Sequence, residues 1–136
     1  MKVVVCVDDA GGMAFNRRRQ SRDRVLCEDI IKNEIEGRFL IAPYSIPLFE
    51  NYGIPIAASA DFLSLANSSD TCFVEDCLLR TRLDKIDKLV IYRWNRRYPA
   101  DLYLDIFPDR DGFRLIEQTE FTGSSHEKIT KEIFEK

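Results

Sequence analysis

The chain has 136 residues, 45% of them hydrophobic and 32% charged, with 23 acids against 20 lysines and arginines for a net charge of -3. A chain of that length buries about two thirds of its unfolded surface in a single core, so one domain over 1–136 is expected and disordered or fibrous classes are excluded. The excess of acids argues against a general nucleic-acid or membrane coat, which leaves only local clustering of charge to mark a partner.

Val3, Val4, Val5, Cys6 and Val7 form an unbroken apolar run ending at Asp8 and Asp9, the pattern of a central strand buried on both faces of a mainly parallel sheet. Gly11 and Gly12 follow. From Ser21, a plausible N-cap, Leu26 with Ile30 and Cys27 with Ile31 and Ile35 recur at helical spacing until Gly37, which predicts a helix over about 22–36. Short apolar runs predict further strands at Arg38–Ile41, Ile54–Ala57, Thr71–Val74 and Lys88–Tyr92. Helical segments are expected between them at Tyr44–Asn51, Asp61–Ala66 and Glu75–Arg82. Strand and helix in alternation mean an α/β fold. Beyond Leu102, Leu104 and Ile106, residues 113–121 alternate as a long strand. In the last segment, Ile129 and Ile133 fit a helix face and a strand face equally well.

The four cysteines contain no CxxC pair and His126 has no cysteine near it in sequence, which argues against a structural zinc site and for four buried, reduced thiols. No apolar run reaches the 18 residues a membrane span needs, and the start MKVVVCVDD lacks a signal-peptide pattern. A cytoplasmic protein is expected.

Taken in order, these elements resemble dihydrofolate reductase. "VVVCVDDAGGMAF" looks like that family's first strand and its mobile glycine-containing substrate loop. "SRDRVL" resembles the entry to its first long helix, with Asp23 where the family has its pocket acid. "DKIDKLVIYRWNRRYPADLYLDIFPD" resembles the late strand and crossover, and "GFRLIEQTEF" with "HEKITKEIFEK" the closing hairpin. The resemblance implies a mixed, mainly parallel sheet with helices on both faces, and a strand for the ambiguous tail. The words "RRQSRD", "YRWNRRYPAD" and "HEKITKE" also look like those of a group of small bacterial proteins, a likeness that brings no activity with it.

The departures fall on the cofactor half. Where the family places a glycine pair that lets backbone N–H groups approach a pyrophosphate, this chain has Glu75 and Asp76, and Ala42 and Pro43 stand where it has a Gly-Arg turn. Two carboxylates at a phosphate site repel the ligand, so NADPH binding in the family manner is not expected.

Asp23 is the candidate catalytic acid, a role that requires an apolar pocket to raise its pKa. Arg22 and Arg24 beside it favour the ionised form instead. Arg17, Arg18, Arg19, Arg22, Arg96 and Arg97 form two basic clusters able to grip phosphate or carboxylate, and Tyr92, Trp94 and Tyr98 offer flat surfaces beside them. Gly11, Gly12, Met13 and Phe15 complete the candidate ligand-binding set as a lid. His126, with no serine, cysteine or metal motif around it, reads as a surface histidine.

Three functions remain open at this point. The first is binding of a small anionic or heterocyclic ligand between the glycine loop, the head of the first helix and the "RWNRRY" loop. The second is an NADPH-dependent reductase of a pterin-like heterocycle, with Asp23 as acid. The third is nucleotide or single-stranded nucleic-acid binding through the arginine and aromatic clusters.

Overall fold

A computed structural model describes residues 1–136. Its frame is the valine run. β1 (Lys2–Val7) lies at the centre of a seven-stranded sheet, paired in parallel with β6 (Thr71–Val74) on one side and β7 (Lys88–Arg93) on the other. β4 (Phe39–Ile41) and the two-residue β5 (Ala57–Ala58) continue the parallel array beyond β6. β10 (Ile129–Glu135) runs antiparallel to β7, and β9 (Arg114–Phe121) closes the far edge. The sheet is therefore mixed and mainly parallel, as expected.

Because side chains alternate along a strand, β1 feeds two cores. Val3, Val5 and Val7 join Leu40, Val74, Leu89 and Ile91 on one face, covered by α3 (Phe62–Leu65) and the 3-10 turns of Arg80–Lys85. Val4 joins Ile41, Phe73 and Val90 on the other, under α1 (Arg24–Asp29) and α2 (Ile46–Phe49). There Phe49 sets its ring edge-on to Phe39 and Phe73, each centroid 5.0 Å away, the arrangement favoured by ring quadrupoles. No helix is long and apolar enough to cross a membrane.

Several elements depart from expectation for identifiable reasons. Ser21 does not cap the first helix; Asp23 does, accepting from the Leu26 N–H. The helix changes at Ile30 to a π-turn through Glu34. Glu34 is buried there, its carbonyl accepting from Lys2 Nζ at 2.9 Å and its carboxylate paired with Lys131. Ile54–Ile56 form no strand, since Pro55 has no N–H to donate to a ladder. The expected helix over 75–82 is also missing. The Asp105 carboxylate takes the Leu79 and Arg80 N–H groups at 2.8 and 3.0 Å, so only 3-10 turns follow, at Arg80–Lys85. The tail is a strand. Ile129 and Ile133 both lie on the α1 side of the sheet and Phe134 lies on the other.

Candidate functional site

The chain leaves β1 into a turn organised by Asp8, which is 1% exposed. Its Oδ1 accepts from the N–H groups of Ala10 and Gly12 at 2.9 and 2.7 Å, and its Oδ2 from the Tyr98 N–H and Gln20 Nε2, each at 3.1 Å. Burial alone raises this carboxyl, and those donors outweigh it and hold the pKa below the ordinary value. Asp8 thus ties together the three loops that surround the site. Sequence reasoning saw in it only the end of a strand. Gly12 is required by the same junction, since a Cβ there would lie 2.6 Å from Ala100 Cβ and 2.7 Å from Gln20 Nε2.

The expected mobile lid is a built hairpin. β2 (Gly12–Phe15) pairs antiparallel with β3 (Arg18–Arg19) and with β8 (Leu102–Tyr103). Asn16 and Arg17 form its two-residue turn with φ of 53° and 61°, the left-handed pair of a type I′ turn. The hairpin delivers Arg19 onto Glu75. Arg19 Nε donates to Glu75 Oε2 at 2.7 Å and its NH2 to Oε1 at 2.9 Å, while Ser45 Oγ donates to Oε1 at 2.7 Å. The Glu75 side chain is 7% exposed. Arg19 also lies 4.3 Å from the centre of the Tyr44 ring, so it spans from the hairpin to the segment preceding α2.

Beyond Gln20 the chain turns into α1 through Asp23, whose side chain is wholly buried. Asp23 Oδ1 accepts from the N–H groups of Leu26 and Ser124 at 3.1 and 3.0 Å. Its Oδ2 accepts from the Ser125 N–H at 2.8 Å and His126 Nδ1 at 3.1 Å. Burial by itself would raise this carboxyl, but the two serine N–H groups, His126 and Leu26 together hold it far below the usual carboxylate range. These donors favour the ionised form of Asp23, in which it accepts hydrogen bonds instead of donating a proton. Gly123 in the β9–β10 turn makes the approach possible, because a Cβ there would collide with the Asp23 carboxylate.

His126 is not a surface residue. It is 4% exposed, stacked on Trp94 with ring centres 4.5 Å apart and planes 28° from parallel, and met edge-on by Tyr98. A carboxylate can only accept, so Nδ1 carries the proton shared with Asp23. The lone pair of Nε2 then faces the hydroxyls of Ser21 and Tyr98, each 3.0 Å away.

Between these parts lies a narrow cleft of ≈ 20 Å³, with apolar walls that include Met13, Leu26, Leu48, Phe73 and Trp94. Gln20, Ser21, Arg22 and Asp23 supply its polar side. Gln20 Oε1 is buried with no hydrogen-bond partner, although its Nε2 is fully engaged. Cys6 and Cys27 also line the cleft, and burial pushes the Cys27 thiol up to about 12. All four cysteines are free, but Cys6 and Cys77 are only half-buried, short of the four buried thiols expected.

The arginines do not converge. Arg17, Arg18, Arg22, Arg96 and Arg97 are exposed and form no ion pair. Arg17 lines a groove with Asp76 and Asp101, Arg18 another with Phe15 and Tyr98, and Arg22 alone joins Arg19 at the central cleft. Gly11 and Gly12 stay outside that cleft while Met13 enters its wall. Tyr92 is interior, with its hydroxyl on Asp29 at 2.5 Å, and Trp94 is buried with His126 stacked on its ring, so neither is an exposed stacking surface.

Among solved structures the chain is similar to dihydrofolate reductase from Enterococcus faecalis complexed with NADP(H) and RAB-propyl. The TM-score is 0.66 at 10% identity, over 98% of this chain and 94% of that one. No protein-family model matches, and no curated protein does.

Proposed function

On this dihydrofolate-reductase-like fold, we propose that the protein binds a small planar heterocycle bearing an anionic group, in the cleft between β1, β6 and α1, and does so without a nicotinamide dinucleotide. The observation that carries this reading is the buried, partnerless Oε1 of Gln20, a residue that lines the cleft. A buried acceptor without a donor costs about 1–3 kcal/mol, and an N–H or amino group of a heterocycle would remove that cost. Apolar walls fit the ring, and the free guanidinium of Arg22 fits the anion. Arg19 borders the same cleft, held over the Tyr44 ring. We place this binding protein in the cytosol, where its four free thiols stay reduced.

A nicotinamide dinucleotide does not fit these residues. After β6 the chain presents Glu75 and Asp76 and no α-helix, so no helical N–H groups await a pyrophosphate. Glu75 is fixed by Arg19 and Ser45, which fill the place with an ion pair. No reaction step is therefore routed through that cofactor.

The test is titration with NADPH and with a panel of carboxylated or phosphorylated pteridines and purines, followed by Trp94 fluorescence and calorimetry. Saturable binding of panel members, weakened at least about tenfold by Arg22→Ala, and none of NADPH, is the expected result. One-to-one NADPH binding in the micromolar range would overturn the reading and restore the reductase.

A further inference from the structure

We infer that Ser21, His126 and Asp23 form a nucleophilic triad that gives the cleft an acyl-ester hydrolase activity, beyond the ligand binding proposed above and not dependent on it. Ser21 Oγ is 3.0 Å from His126 Nε2, and His126 Nδ1 is 3.1 Å from Asp23 Oδ2. That is the order of contacts in which a serine is activated: hydroxyl, imidazole base, and a carboxylate that orients the base. Each part is held in place. Asp23 and His126 have side chains 0% and 2% exposed, and the imidazole is packed between Trp94 and Tyr98. Ser21 is half-buried and is one of the residues that line the cleft.

The surroundings suit a carbonyl substrate. Arg22, next in the chain, lines the same cleft with an unpaired guanidinium, and its N–H donates to no acceptor of the chain. Both can meet the negative oxygen that develops during acyl transfer. The narrow cleft limits the acyl group to a small one.

The steps balance with water as the only co-reactant. Ser21 Oγ bonds to the acyl carbon as its proton passes to His126 Nε2. The ester C–O bond breaks, and the leaving alkoxide takes that proton. Water then gives a proton to Nε2 and its hydroxyl to the acyl carbon, and Ser21 recovers the proton as the acid departs. Tyr98 also reaches Nε2 at 3.0 Å and provides an acceptor for the proton while Nε2 holds it.

The test is reaction of the full chain with a fluorophosphonate probe and with 4-nitrophenyl acetate, the adducts mapped by peptide mass spectrometry. One adduct per chain, on Ser21, forming at least about 100-fold faster than on the exposed Ser64, Ser68 and Ser69 in the same sample, is expected. Ser21→Ala removes the adduct and the acetate burst while leaving the circular dichroism spectrum unchanged. His126→Gln, where it folds, slows labelling at least about 100-fold. No Ser21 adduct on folded protein, a rate equal to that of the exposed serines, or an adduct on Tyr98 in its place overturns the proposal. The probe reads the reactivity of Ser21 and needs no affinity for a heterocycle, so failure of the titrations above leaves this result separate.

Discussion

Replacing Asp23 by Asn tests whether this carboxylate is a structural anion rather than a proton donor. Two of its acceptor bonds come from N–H groups on Oδ1 and two more from the Ser125 N–H and His126 on Oδ2. An amide keeps its oxygen toward one pair and must turn its NH2 toward the other. With the oxygen toward Leu26 and Ser124, His126 can switch tautomer to accept, but the Ser125 N–H is left facing another donor. One charge-assisted bond is lost and three become neutral ones, a cost of about 3 kcal/mol, or roughly 10 °C in Tm for a chain of this length. The assay is urea unfolding followed by the fluorescence of Trp94, the one tryptophan, which stacks on His126.

The pH dependence gives the sign. Asp23 titrates lower in the folded than in the unfolded chain, so its stabilisation is fully present above the unfolded value of about 3.9 and is lost as pH falls from there toward the folded value. Wild type and Asp23→Asn should differ most above about pH 5 and draw together below about pH 4. A gap under about 1 kcal/mol at neutral pH, or one that stays constant down to pH 3, would refute the clamped carboxylate.

Two further substitutions probe the hairpin and its anchor. Arg19→Met leaves Glu75 with Ser45 as its remaining partner and should cost about 3 kcal/mol, most of it recovered by adding Glu75→Gln, because an unpaired buried charge is the expensive state. Equal denaturation midpoints for the single and double variants would contradict that coupling. Arg17→Gly relieves a left-handed residue in the type I′ turn and should raise stability by about 0.5–1 kcal/mol, read as a higher urea midpoint. A lower midpoint would mean that the arginine side chain contributes more than its backbone costs.

The parts of the fold that were legible in sequence are those set by local pattern. The valine run named the central strand, and Thr71–Val74 matched its strand residue for residue. The tail could not be decided by periodicity, because a spacing of four satisfies both a helix and a strand; only its likeness to a closing hairpin chose correctly. The site was harder because its contacts are long in sequence. "GSSH" has the composition of an exposed turn, and nothing near it announces that His126 will be buried against a carboxylate 103 residues earlier. Asp23 carried one usable signal as an Asx residue three positions before Leu26, the spacing of an N-cap. Glu75 was conspicuous for standing where a glycine was expected, but its partner Arg19 was one of several arginines in a run that sequence alone could not tell apart.

The position of β1 bears on how the chain comes into being. This strand is synthesised before its partners, and Val3 finds its neighbours only when Cys72 and Leu89 have been made. The helix that packs beside it is pinned at its head by Ser124 and Ser125, 101 and 102 residues after Asp23. Closing such long loops is entropically costly and slows folding. While the ribosome completes the second half, the apolar strand has no partner and is open to association with other chains. Removal of the last hairpin would leave Asp23 buried without its serine donors and β7 without β10. Acquisition of the native state is thus deferred until β10 has emerged, and a product lacking it is left as a substrate for chaperones and proteases.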